Sequence, residues 1–406
     1  MSVRCRDILA LPALKDMKIV AGMGGLDRIL RWVHVSDVPK ITQWVHGGEL
    51  LFTTGMSIRE DVWSWLQLIK DISEKNLAGL VINVGPYISH IPHEVKDLAD
   101  SLDFPVFELP WEIKLVDVTQ SICNYIIKKQ AEEKSVSELL NNILFGNFKS
   151  TEVILKEAEY YGYNLNCPHC VCVVDIDGFG EYLKRENIRD EKNIVEIKSH
   201  LHQIILNIFE KYGKKVLSML MRDSVIFMWP CKSSKDKYMI KNVAEDIRQC
   251  VAHELAPLTV SVGIGRCYRD LKEMGKSLKE AERAIKFVNR VMGKDAFSHY
   301  NEMGLFRLLF EVQDHGELKA FYDDILGPLR DYDEANGTEL LNTLEAFLRE
   351  NGNMVKTAGE LFIHRSTLNY RLQRIQDILK IDLSDGDNRF NLKVALMIGK
   401  FLDSAN

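Results

Sequence analysis

Hydrophobic positions along the chain repeat with two different periods, and the changes between them divide it into segments. From Lys18 to Pro110 the short runs KIVAG, RWVHVSD, ELLFTTG, GLVINVG and FPVFELP are rich in β-branched and aromatic residues, which predicts strands. Helical spacing lies between several of them, notably in DVWSWLQLIKDISEKN. Strands alternating with helices predict an α/β layer on a mostly parallel sheet, assigned to residues 1–112.

Residues 113–150 then carry a seven-residue apolar register. Leu115, Ile122, Val136 and Ile143 hold one position and Val118, Tyr125 and Leu139 the other, interrupted by Lys129 and Glu132. Such a seam needs a covering helix, supplied by a second subunit as a coil or by the chain's own domain. Across residues 151–300 the order is strand (CVCVVDIDGF), helix, hairpin (KVLSMLM and SVIFMWP, meeting at Arg222 and Asp223), helix, strand (LTVSVGIGR) and helix, an α+β unit. Residues 301–336 connect it to an all-α module at 337–406. The expected fold class is therefore multidomain: α/β, α+β and all-α.

Composition bounds this picture. At 406 residues, with 46% hydrophobic and 27% charged residues, the chain reads as several ordinary globular domains. No run approaches the roughly 18 apolar residues of a membrane span, and Met1–Lys18 lacks a secretory signal pattern, so a cytoplasmic location is expected. The eight cysteines are scattered through core-rich segments and read as reduced thiols. A net charge of −6 makes the molecule no generic polyanion binder, so any nucleic-acid site must be local.

The last module supplies that local site. Thr338 is expected to cap a helix with Leu340, Leu341, Leu344, Phe347 and Leu348 inward; Asn353 caps a short helix whose stripe is Val355, Ala358 and Phe362. In the next helix, RSTLNYRLQRIQDILK, Leu368, Leu372, Ile375 and Leu379 form one inward stripe. The other faces hold Arg365, Ser366, Thr367, Asn369, Tyr370, Arg371, Gln373 and Arg374, types that reach phosphates and base edges. From Ile363 to Lys380 four basic residues stand against one acidic residue, a net +3. A plain three-helix unit with a solvated face has the same periodicity.

The segment from LLNTLEAFLRENGNMVKTAGELFIHRSTLNYRLQ through RIQDILKIDLSDGDNRFNLKVALMI resembles the terminal helix-turn-helix domain of the PucR family, the purine-catabolism regulators and their carbohydrate-diacid relatives. In the first domain, VRCRDILALPAL, VAGMGGLDRILRWVHVSD, GGELLFTTG and FPVFELPW are similar to that family's amino-terminal pattern, in order. The resemblance implies a ligand-responsive transcription regulator and no enzyme, with double-stranded promoter DNA and a small-molecule effector of purine or related catabolism as partners. It further implies activation and a homodimer or higher homo-oligomer. The family usually has Asn after His-Arg where this chain has Ser366, so the operator is expected to differ.

Other motifs point to chemistry more weakly. VAGMGGLD has Asp27 where a dinucleotide loop needs its third glycine, which leaves a tight turn as the better reading. Cys167-Pro-His-Cys170 reads as strand-end cysteines; a redox pair, or a metal site completed by Cys172, His200 and His202, remain alternatives. VVDIDGF resembles the metal-binding strand of diguanylate cyclases, with Asp175 and Asp177, which implies a ferredoxin-like, cyclase-type domain. Where those enzymes carry Gly-Gly-Asp-Glu-Phe, this chain has Met221, Arg222, Asp223, Ser224 and Val225, which removes the catalytic carboxylate. A nucleotide-binding or nucleotide-processing protein is the alternative function. In the first domain Ser36, Asp37, Thr53, Thr54, Gly55, Asn83 and Gly85 end presumed strands, where ligands of open α/β sheets bind. No cofactor or metal is expected.

Overall fold

The computed structural model describes residues 3–402 apart from 39, 60 and 313, and its contacts divide the chain into two compact units between Leu139 and Leu140. The first contains α1 (Cys5–Ile8), β1 (Lys18–Ala21), β2 (Trp32–Val35), β3 (Glu49–Thr53), α2 (Val62–Glu74), β4 (Gly79–Val84), α3 (His93–Ser101), β5 (Val106–Pro110) and most of α4 (Leu115–Phe145). Its sheet runs β1-β5-β4-β3-β2, parallel from β5 to β2, with β1 antiparallel at the edge.

The apolar runs explain the layers. β3 and β4 are buried on both faces, as continuous runs in a parallel sheet require. Leu51, Leu80 and Ile82 pack with Trp65, Leu68, Ile69 and Ile72 of α2. Phe52, Val81 and Phe107 face the other way, onto Val118, Ile122 and Ile126 of α4. The first half of the heptad register is thus covered by its own domain, which corrects the coil reading there. Gly22, at φ 70°, shows why VAGMGGLD is a turn: a Cβ at this position would stand 1.9 Å from the Phe104 carbonyl oxygen.

The second unit holds α5 (Thr151–Tyr160), β6 (His169–Ile176), α6 (Phe179–Arg185), α7 (Glu191–Lys211), β7 (Leu217–Met221), β8 (Ser224–Pro230), α8 (Ser234–Glu254), β9 (Val260–Ile264), α9 (Met274–Phe287), β10 (Phe297–His299), α10 (Phe306–Leu309) and α11 (His315–Asn336). Its sheet runs β10-β9-β6-β8-β7, with β6 antiparallel to both neighbours. Cys170, Cys172, Val174 and Ile176 of β6 enter a core with Ile205 and Phe209 of α7 and Val243 and Ile247 of α8.

Four helices follow: α12 (Leu340–Arg349), α13 (Met354–Glu360), α14 (Arg365–Leu379) and α15 (Gly386–Leu402). Leu326 and Leu329 of α11 share their core with Leu344, Leu368, Leu372, Ile375 and Leu392. Ile398 and Phe401 of α15 pack with Phe287 and Phe306. Among the described residues no helix is long and apolar enough to cross a membrane.

The reading of all eight cysteines as reduced thiols is corrected at one pair, since Cys231 and Cys267 are joined. Cys167 and Cys170 do not pair. The Cys167 thiol lies beside the His169 ring, whereas the Cys170 thiol lies 4.0 Å from that of Cys172, because alternate residues of a strand share a face.

Candidate nucleic-acid interface

Local chemistry fixes where α14 begins. Phe362 takes a left-handed conformation (φ 53°) that ends α13, and His364 caps the next helix, its Nδ1 accepting from the backbone N–H of Ser366. The same ring atom lies 2.7 Å from the Ser366 hydroxyl, so this serine is oriented by the cap. Leu368, Leu372 and Ile375 are buried and Leu379 is half-buried, the inward stripe that the spacing predicts. Fully burying a leucine stabilises by about 1.5–3 kcal/mol, so this stripe fixes the rotation of the helix.

With the stripe inward, Arg365, Ser366, Thr367, Asn369, Tyr370, Gln373 and Arg374 are exposed, Tyr370 by 71%. Arg371 is set apart: it is half-buried and donates to Thr343 Oγ1 of α12 at 3.1 Å. Arg374 lies over the ring of Tyr332 on α11, 5.0 Å from its centroid, and its Nε is 3.3 Å from the phenol oxygen. Gln373 donates to Asp377 at 3.2 Å. The exposed face thus combines two cations, Arg365 and Arg374, with hydroxyl, amide and phenol groups.

His364, Thr343 and Tyr332 are the supporting residues that sequence reasoning missed. Tyr332 lies 42 positions from Arg374 on a separate helix, so no spacing signals the pair. Two local expectations are corrected. Val355 and Phe362 are 69% and 96% exposed, so the inward side of α13 is Thr357 and Ala358 instead. Thr338 does not cap α12; Asp333, from the end of α11, accepts from the backbone N–H of Leu340 and Leu341 and from the Thr338 hydroxyl. Asn353 does cap α13, accepting from Val355 and Lys356.

The cyclase-like carboxylates are occupied by neighbours. Asp177 accepts from Thr259 Oγ1 at 2.7 Å, Ser261 Oγ at 2.6 Å and the Asp295 backbone at 2.9 Å. Asp175 accepts from Ser224 Oγ at 2.6 Å, and burial pushes its carboxyl above the usual range. Asp223 on the hairpin pairs with Lys198. Asp175 and Asp177 are thus satisfied by neighbouring hydroxyls and a backbone N–H, and the hairpin carboxylate nearest them, Asp223, is engaged by Lys198.

In the first unit the strand-end residues bond largely to one another. Asp37 accepts from the Thr53 hydroxyl and from both the hydroxyl and N–H of Thr54. The Gly55 N–H donates to Thr53 Oγ1, and the Ser36 hydroxyl accepts from Val38. Asn83 donates to the carbonyls of Leu109 and Pro110. Gly85 lies against Trp111, whose Cβ would be 2.5 Å from a side chain added there. These contacts bring Ser36, Asp37, Thr53, Thr54 and Gly55 into one loop cluster.

Comparison with known proteins bears on all three segments. The Purine catabolism regulatory protein-like family matches residues 7–126, the GGDEF-like domain residues 145–287, and the PucR C-terminal helix-turn-helix domain residues 340–398. The Proline-responsive transcriptional activator PutR of Bacillus subtilis is 30% identical over 67% of this chain and 64% of its own length. The Purine catabolism regulatory protein of the same organism is 22% identical over 98% of this chain and 99% of its own. The Carbohydrate diacid regulator of Escherichia coli is 23% identical over 64% of each. The crystal structure of the Regulator of Polyketide Synthase Expression from Bifidobacterium adolescentis covers 66% of this chain and 98% of its own, at 15% identity and a TM-score of 0.28, too loose to bear on the fold.

Proposed function

This chain belongs to the PucR family of transcriptional regulators, and from that membership we propose that it is an effector-responsive activator that reads promoter DNA with α14. The observation that carries this reading is the exposed polar face of α14 opposite its buried leucine stripe. Ser366, Thr367, Asn369, Tyr370 and Gln373 supply base and sugar contacts, and Arg365 and Arg374 contact phosphate or guanine. Arg371 braces the helix against Thr343 and contacts the backbone from its flank.

Two subunits place two such helices on half-sites about one helical turn apart, so the operator is a repeat of matching symmetry. The protein works in the cytoplasm, where promoter DNA lies. The effector binds at the carboxyl ends of the parallel strands of the first unit. There the loop cluster of Ser36, Asp37, Thr53, Thr54 and Gly55, with Asn83 and Gly85, is assigned to a metabolite of the regulated pathway, purine-derived or related. The middle domain is assigned a ferredoxin-like, cyclase-type architecture without activity, a reading supported by its antiparallel β9-β6-β8-β7 order and by its occupied carboxylates.

Fluorescence anisotropy with DNA from beside the gene tests this. Retention of that DNA against excess unrelated duplex is expected; equal competition by unrelated duplex overturns sequence-specific regulation.

A further inference from the structure

The register of the second sheet gathers three sulfur atoms that lie far apart in sequence. β6 is flanked on both sides: His169 at its start pairs with Pro230 toward β8 and with Tyr268 toward β9. Cys231 and Cys267, the neighbours of those two partners, therefore meet beside Cys170. The three Sγ atoms lie within 4.8 Å of one another. Cys231 and Cys267 are joined, and their Cα atoms are 6.6 Å apart, within the range that a disulfide bridges. Cys170 and Cys231 are buried, whereas Cys267 is half-buried and, with Cys170, Arg266, His299 and Asn301, lines a cavity of about 200 Å³. An accessible sulfur with two others in reach is the arrangement that reversible oxidation needs.

We propose that Cys267, Cys231 and Cys170 form a reversible oxidation site for small hydroperoxides. The Cys267 thiolate attacks the terminal peroxide oxygen; the O–O bond breaks, a sulfenic acid forms, and the other oxygen leaves, once protonated, as water or an alcohol. The Cys231 thiol then displaces the sulfenic oxygen, which departs as water with the thiol proton, and the Cys231–Cys267 bond closes. Two thiols give up two electrons to one peroxide. A dithiol reductant returns them through a mixed disulfide. Cys170 is the third member: its thiolate attacks the Cys267 sulfur and releases Cys231, an exchange with no net oxidation.

The placement of Cys267 gives this chemistry a structural consequence. Its neighbours Arg266 and Tyr268 both bond to the buried carboxylate of Glu280 on α9, Tyr268 at 2.6 Å. Further along α9, Ala284 and Phe287 share a core with Ile398 and Phe401 of α15. Closing or opening the disulfide therefore acts on the loop that holds the helix beneath the DNA-binding module.

The test uses the full-length chain, reduced, freed of reductant and metal, exposed to stoichiometric hydrogen peroxide, alkylated and mapped by mass spectrometry. A linked peptide joining Cys231 to Cys267, reversed by dithiothreitol, and a higher melting temperature in the oxidised form are expected. In Cys231→Ser the link moves to Cys170–Cys267; should that variant not fold, the wild-type map decides alone. The proposal is overturned if Cys231 and Cys267 stay unlinked and alkylate as Cys250 does. A stoichiometric thiolate-bound metal that shields the three sulfurs from peroxide overturns it equally. These readouts are chemical, so they stand or fall separately from DNA binding.

Discussion

Arg374 is exposed yet rests on the ring of Tyr332, and this sharpens what its substitution does. Arg374→Ala is expected to weaken DNA binding without changing the melting temperature, since its side chain lies outside the leucine stripe. If the contact is to phosphate, the salt dependence of binding falls by about one unit; if it is to guanine, sequence preference relaxes instead. Tyr332→Ala removes the surface on which the guanidinium rests and is expected to weaken binding several-fold although the tyrosine itself sits on α11. Anisotropy titrations at several salt concentrations separate these outcomes, and unchanged affinity in both variants removes the pair from the interface.

At the same scale, His169 gives a pH dependence. Burial lowers its pKa to about 4 from 6.5, opposed by its bond to the Cys167 carbonyl and assisted by Lys232. The unfolded chain therefore binds a proton on this ring between about pH 6.5 and 4 while the folded one does not, and stability falls as pH drops through that window. Burial depresses His202 in the same way, to about 4. Denaturant titrations across this range are expected to show a shallower loss in His169→Gln than in the wild type, and identical slopes contradict the assignment.

Among elements, what could be read from the sequence depended on how far each signal reached. The strands of the first sheet were legible because β-branched runs such as GLVINVG bury both faces, and α14 was legible because four turns repeat one stripe. The seven-residue α13 has too few turns to fix its phase, and Phe362 leaves the helix in a left-handed residue, so its apparent stripe did not form. The cap of α12 was missed because its carboxylate comes from the preceding helix. Asp333→Ala is accordingly expected to cost about 0.5–2 kcal/mol, whereas Thr338→Ala costs less, as measured by chemical denaturation. The cysteine cluster was invisible because Cys170, Cys231 and Cys267 meet only through strand register. The exposed residues of α14 were all nameable in advance; what holds Arg371 and Arg374 was not, since both partners lie on other helices.

For the whole molecule, the acidic balance of −6 means that non-specific attraction to DNA is weak and that affinity must come from one face. A selective effector raises the stability of the folded form, so a thermal-shift screen of metabolites on the full chain is expected to single out one chemical class. Substitution of Asp37 by Ala, which removes the acceptor shared by Thr53 and Thr54, is expected to abolish that shift. The most direct measurement of the central claim is a footprint on operator DNA with Ser366, Asn369, Tyr370 and Gln373 all replaced by alanine. Loss of the footprint with helicity and melting temperature retained is the predicted result; an unchanged footprint contradicts the assignment of α14 as the reading element.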